Sequence, residues 1–140
     1  MSLLALAALA AAVAVPDHTV TVEHRGSSYK VDYRASVKAK ARTIGMAAGA
    51  RPSTQRCLMT AVVSVDRVIA DGDHKLAAAV PGEKTFTRNL PGHCRGRDGQ
   101  LAALVAEKSP AIRAHLVEAA AADRPQALAA IEAAHHFAAN

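Results

Sequence analysis

YKVDYRASVKAKART, residues Tyr29–Thr43, alternates without interruption. Its odd positions hold Tyr29, Val31, Tyr33, Ala35, Val37, Ala39 and Ala41, and its even positions hold Lys30, Asp32, Arg34, Ser36, Lys38, Lys40 and Arg42. A helix would scatter these two sets around its circumference, whereas a strand separates them onto opposite faces. The stretch therefore predicts a β-strand with one side against a core and a basic side towards water. It is long for a single strand, so a bend or bulge near Ser36 is expected.

Working outward, HTVTVEH (His18–His24) alternates in the same way, and RGSS separates it from the longer run. That arrangement predicts a β-hairpin. Downstream, IGMAAGARPSTQR (Ile44–Arg56) carries two glycines and a proline and reads as a loop. CLMTAVVSVDRVIA (Cys57–Ala70) places Cys57, Met59, Ala61, Val63 and Val65 on one face. Leu58 and Val62 add apolar character to its other face, as an interior strand would have. ADGDHK (Ala70–Lys75) is a turn, and Val80–Gln100 reads as mostly irregular with a short strand at Lys84–Arg88.

From Asp98 the periodicity changes to that of helices. Leu101, Leu104 and Val105 share a face, with Asp98 as cap. Ser109-Pro110 is a helix start, with Ile112 and Leu116 as its stripe. Asp123, with Pro125 just inside, is expected to open a third helix whose apolar side carries Leu128, Ile131 and His135. The fold expected is α+β: an antiparallel sheet of three or more strands around a long central hairpin, covered on one face by about three C-terminal helices.

The chain has 140 residues, a length suited to one domain. Residues 3–15, LLALAALAAAVAV, are apolar and uncharged, too short to span a bilayer but suited to the core of a signal peptide. Ala12-Val13-Ala14 offers a cleavage site. Residues 1–14 are thus expected to be a signal peptide and 15–140 a single periplasmic or secreted domain, mainly strand and loop over 15–97 and helical over 98–140. Export bears on Cys57 and Cys94, the only two cysteines: in an oxidising compartment they are expected to form a disulfide.

The formal charge is +5, unevenly spread, with six Lys/Arg against Asp32 alone in residues 25–42. Lys30, Arg34, Lys38, Lys40 and Arg42 could together face a polyanion, since alternate strand residues recur about every 6.8 Å. The competing reading is a solvated sheet face that also deters edge-to-edge association. No aromatic is interleaved with the cations, which argues against a single-stranded nucleic acid as the partner. Asp71, Asp73 and His74 share a turn, and His135-His136 are adjacent, yet neither set has the spacing of a metal site. The sequence holds no nucleophile elbow, HExxH or phosphate-cradling glycine loop, so no catalytic residue, metal or cofactor is expected.

The block VDYRASVKAKARTIGMAAGARPSTQRCLMTAVVSVDR, with VPGEKTFTRNLPGHC after it, resembles a type of small exported protein from sphingomonad-like alphaproteobacteria. The resemblance spans most of the expected mature chain, implies an envelope location and carries no active-site motif. The function expected is a non-enzymatic envelope binding or accessory protein stabilised by one disulfide. The alternatives are a cationic module on anionic envelope polymers or lipid headgroups, and a small periplasmic hydrolase. An envelope protein or an anionic polymer would be the partner.

Overall fold

A computed structural model describes residues 16–46 and 54–139. The expected signal peptide and its cleavage site lie outside these residues, as does most of the expected loop between the second and third strands. Four strands, β1 (Asp17–His24), β2 (Ser27–Ile44), β3 (Arg56–Asp71) and β4 (His74–Pro91), form one antiparallel sheet in chain order. Two helices follow, α1 (Asp98–Glu107) and α2 (Ser109–Ala139). The fold is α+β.

Turn chemistry fixes the first hairpin. Arg25 and Gly26 both have positive φ (51° and 78°), as a two-residue type I′ turn requires. His24 then faces Ser27, and the register runs without a break to Asp17 opposite Arg34. The β2–β3 register is equally regular, from Lys30–Ala70 to Ile44–Arg56. The bulge expected near Ser36 is therefore absent from β2. The irregularity lies two strands away: Ser64, the partner of Ser36, faces Pro81-Gly82-Glu83 where β4 slips between Val80 and Lys84. Every residue of β2 from Lys30 onward has a partner on β3.

Two further expectations are corrected. Val80–Pro91, expected to be irregular apart from Lys84–Arg88, belongs instead to the long strand His74–Pro91. Pro81 is tolerated because β4 lies at a sheet edge and bulges there. The third helix does not exist as a separate element, because α2 runs through Asp123 and Pro125 to Ala139. Pro125 removes one helical hydrogen bond, to the carbonyl of Ala121, an exposed residue whose carbonyl water can serve. Asp98 is the first residue of α1, with Arg97 at the capping position.

The odd residues of β2 and β3 face the helices. Val31, Tyr33, Val63, Val65 and Ile69 pack against Ile112, Leu116, Ala120, Ala127 and Ile131 of α2. A second, smaller cluster joins Cys57, Met59 and Leu104, with Cys94 packed against it. Here the Cys57–Cys94 disulfide ties β3 to the segment leading into α1. The backbone amide of Cys94 also donates to Thr43 Oγ1 at 3.1 Å, fastening the same segment to the end of β2. No helix among the described residues is long and apolar enough to cross a membrane.

Candidate docking surface

The even residues of β2 and β3 point away from the helices, and no described element covers them. This outer face has two ends of different character. At the first, Lys30 faces Thr21 and Ala70, and Arg34 sits among carboxylates. Arg34 faces Asp17 on β1 and Asp66 on β3, and its guanidinium lies 4.0 Å from Asp32 Oδ2. Asp32 in turn accepts a hydrogen bond from Thr19 Oγ1 at 2.6 Å.

At the other end, Lys38 faces Val62, Lys40 faces Thr60 and Arg42 faces Leu58. None of the three cations has an ion-pair partner among the described residues, and all are exposed. Lys40, Arg42, Leu58 and Thr60 line a shallow groove of about 280 Å³. Within the row of five basic residues read from the sequence, Arg34 is thus matched by carboxylates, whereas the trio Lys38, Lys40 and Arg42 has none opposite it. The sequence gives the row but not the division, which follows from which strand ends lie alongside it.

β1 is only eight residues long, so it covers β2 no further than Arg34. Beyond it, Ala35–Ile44 has β3 on one side and no described strand on the other. The inner face thins there as well: Ala39 and Ala41, expected to be buried, are exposed, because α2 packs over the other end of the sheet. The buried side of the opening stretch is therefore Tyr29 to Ala35, with Val37 half-buried.

Under α2, the inner face holds a polar group that the sequence reading missed. Arg67 continues the core-facing row of Val63, Val65 and Ile69, and its Nη1 donates to both carboxylate oxygens of Asp123, at 2.9 and 2.7 Å. The Tyr33 hydroxyl donates to Asp123 Oδ2 at 2.9 Å. Burial, the hydrogen bond to Asp123 and the charge of that carboxylate together push the Tyr33 hydroxyl well above the usual phenol range, against the opposing pull of Arg67. The signal was present: Arg67 lies two residues from Val65 and from Ile69, and Asp123 lies at helical spacing from Ala120, Ala127 and Ile131.

Further along α2, Glu132 meets the β1–β2 turn. Arg25 donates to Glu132 Oε1 at 2.6 Å. His24 Nε2 lies 2.5 Å from Glu132 Oε2, within ion-pair reach when the ring is charged but without the alignment of a hydrogen bond. His135 meets the Tyr29 hydroxyl, so it serves as a helix–sheet contact. Among the described residues no group of three His, Cys, Asp or Glu is gathered to hold a metal. Beside Tyr33, a cleft of about 240 Å³ lies between β1 and α2, lined by His18, Val20, Val117 and Arg124 among others.

Comparison of the chain with protein families, curated proteins and solved structures finds no match. Its chemistry is therefore read from its own geometry.

Proposed function

We propose that the chain is an exported, non-enzymatic envelope binding or accessory protein, and that it docks an acidic protein partner on the basic end of its outer sheet face. One observation carries the reading: Lys38, Lys40 and Arg42 stand on an uncovered face with no carboxylate opposite them, while Arg34 is faced by Asp17 and Asp66 and lies beside Asp32. A trio left unmatched beside an apolar and hydroxyl-bearing strip offers a partner both charge and contact area. The apolar N-terminal run and the Cys57–Cys94 bond are compatible with an oxidising compartment.

A second reading, an anionic envelope polymer, is favoured by the even spacing of the trio, about 6.8 Å between neighbours. Anisotropy titration of labelled decaglutamate and of polyphosphate separates the two. Serine at positions 38, 40 and 42 should weaken binding by about tenfold or more, while serine at 34 should change it little. Equal losses from both would contradict the division of the face. Retention of polyphosphate but not of the peptide would assign the surface to a polymer.

A further inference from the structure

The free edge of β2 specifies more about the partner than its charge. In the type I′ hairpin His24 and Ser27 are the closing, hydrogen-bonded pair, so the odd residues of β2 direct their N–H and C=O groups towards β1. The register with β3 is unbroken, so the same alternation continues past the end of β1. Ala35, Val37, Ala39, Ala41 and Thr43 therefore present backbone donors and acceptors to an edge where no described strand lies. Such an edge is a template for pairing. The opposite edge of the sheet, on β4, is interrupted at Pro81-Gly82-Glu83 and ends at Pro91.

We propose that Ala35–Ile44 binds an extended acidic segment of a partner protein by strand addition. The proposal rests on the reading of the basic end as a docking surface and adds its mode and its ligand. Residues directly opposite one another in a ladder share a face. The added strand would therefore place carboxylates at alternate positions, opposite Lys38, Lys40 and Arg42. Its intervening residues would lie on the inner side, beside Ala39 and Ala41, whose small exposed side chains leave room for apolar groups. The partner segment is thus an acidic–apolar alternation.

A second copy of the chain fits this edge poorly. Because the free backbone groups all belong to odd residues, antiparallel pairing of two copies must set odd against odd. Even residues would then meet even residues, so registers centred on Lys40 set Lys38, Lys40 and Arg42 against Lys and Arg of the other copy, and like charges directly opposite are destabilising. The apolar, uncharged run Leu3–Val15 of this chain likewise offers no carboxylate.

The test uses the full chain and three labelled peptides: one alternating glutamate with valine, one of the same composition with the glutamates in a block, and the alternating one N-methylated on its pairing edge. Strand addition predicts that the alternating peptide binds, that the other two bind about tenfold or more weaker, and that amide exchange slows at Ala35, Val37, Ala39, Ala41 and Thr43. An Ala39→Pro variant, which removes an outward N–H from an edge position, should lose peptide affinity while keeping its fold. Equal binding of all three peptides would overturn strand addition and leave the charged docking surface standing. Failure of every acidic peptide to bind at low salt would overturn both. Slow exchange of the five amides in the free protein would mean that the edge is already occupied, and would also overturn strand addition.

Discussion

Arg67 on β3 and Asp123 on α2 form a buried ion pair, with both side chains at least nine-tenths withdrawn from solvent and a closest approach of 2.7 Å. Among the described residues it is the one ion pair that crosses the helix–sheet interface within the core. Tyr33 adds a third member from β2. Removing one partner leaves the other charge buried and unmatched, so Asp123→Ala should cost about 3–5 kcal/mol in chemical denaturation. The double variant Arg67→Met with Asp123→Leu should recover part of that loss, since the apolar pair removes both buried charges and leaves only the Tyr33 hydroxyl without its acceptor. If the double variant is as damaged as the single one, packing around Asp123 matters more than its charge.

Tyr33 should ionise abnormally. The folded chain holds its phenolic proton more tightly than the unfolded chain does, so the associated stability is complete below a pH of about 10 and falls as pH rises above it. Absorbance titration should find one of the two tyrosines protonated until the chain unfolds. Tyr33→Phe should abolish that resistant fraction. Two tyrosines titrating together in the ordinary range would contradict the burial of this hydroxyl.

The Cys57–Cys94 bond closes a loop of sequence separation 37 and should contribute about 3–4 kcal/mol by restricting the unfolded chain. Mass spectrometry after alkylation without reduction should find no free thiol, and reduction should lower the denaturation midpoint accordingly. Two alkylated cysteines would rule the bond out.

The two faces of β2 should respond differently to mutation. Truncating Tyr33 to Ala should cost about 3–5 kcal/mol. Lys38→Ser should change stability by less than about 0.5 kcal/mol. Gly45, at φ 90°, is a separate case: a Cβ there would stand 2.4 Å from the Thr54 carbonyl oxygen, so Gly45→Ala should destabilise by more than about 1 kcal/mol. A neutral Gly45→Ala would show that the β2–β3 connection can shift to make room.

The strands were legible where alternation is strict, as at Tyr29–Ala35, and where turn residues bracket them, as at Arg25-Gly26. β4 was hidden because Pro81 and Gly82 suggest a loop, and a bulge at a sheet edge accommodates both. The false third helix came from giving Asp123 its commonest role beside a proline, when Arg67 holds that carboxylate. The basic row was visible in the sequence. Its separation into matched and unmatched cations was not, because it depends on how far β1 extends along β2.

An amide NMR titration of the full chain with the glutamate–valine peptide tests the docking surface most directly. The account predicts shifts confined to Ala35–Ile44 and to the facing residues Arg56–Val65 on β3. Shifts centred on Lys30–Arg34, or on the His18–Arg124 cleft, would contradict it.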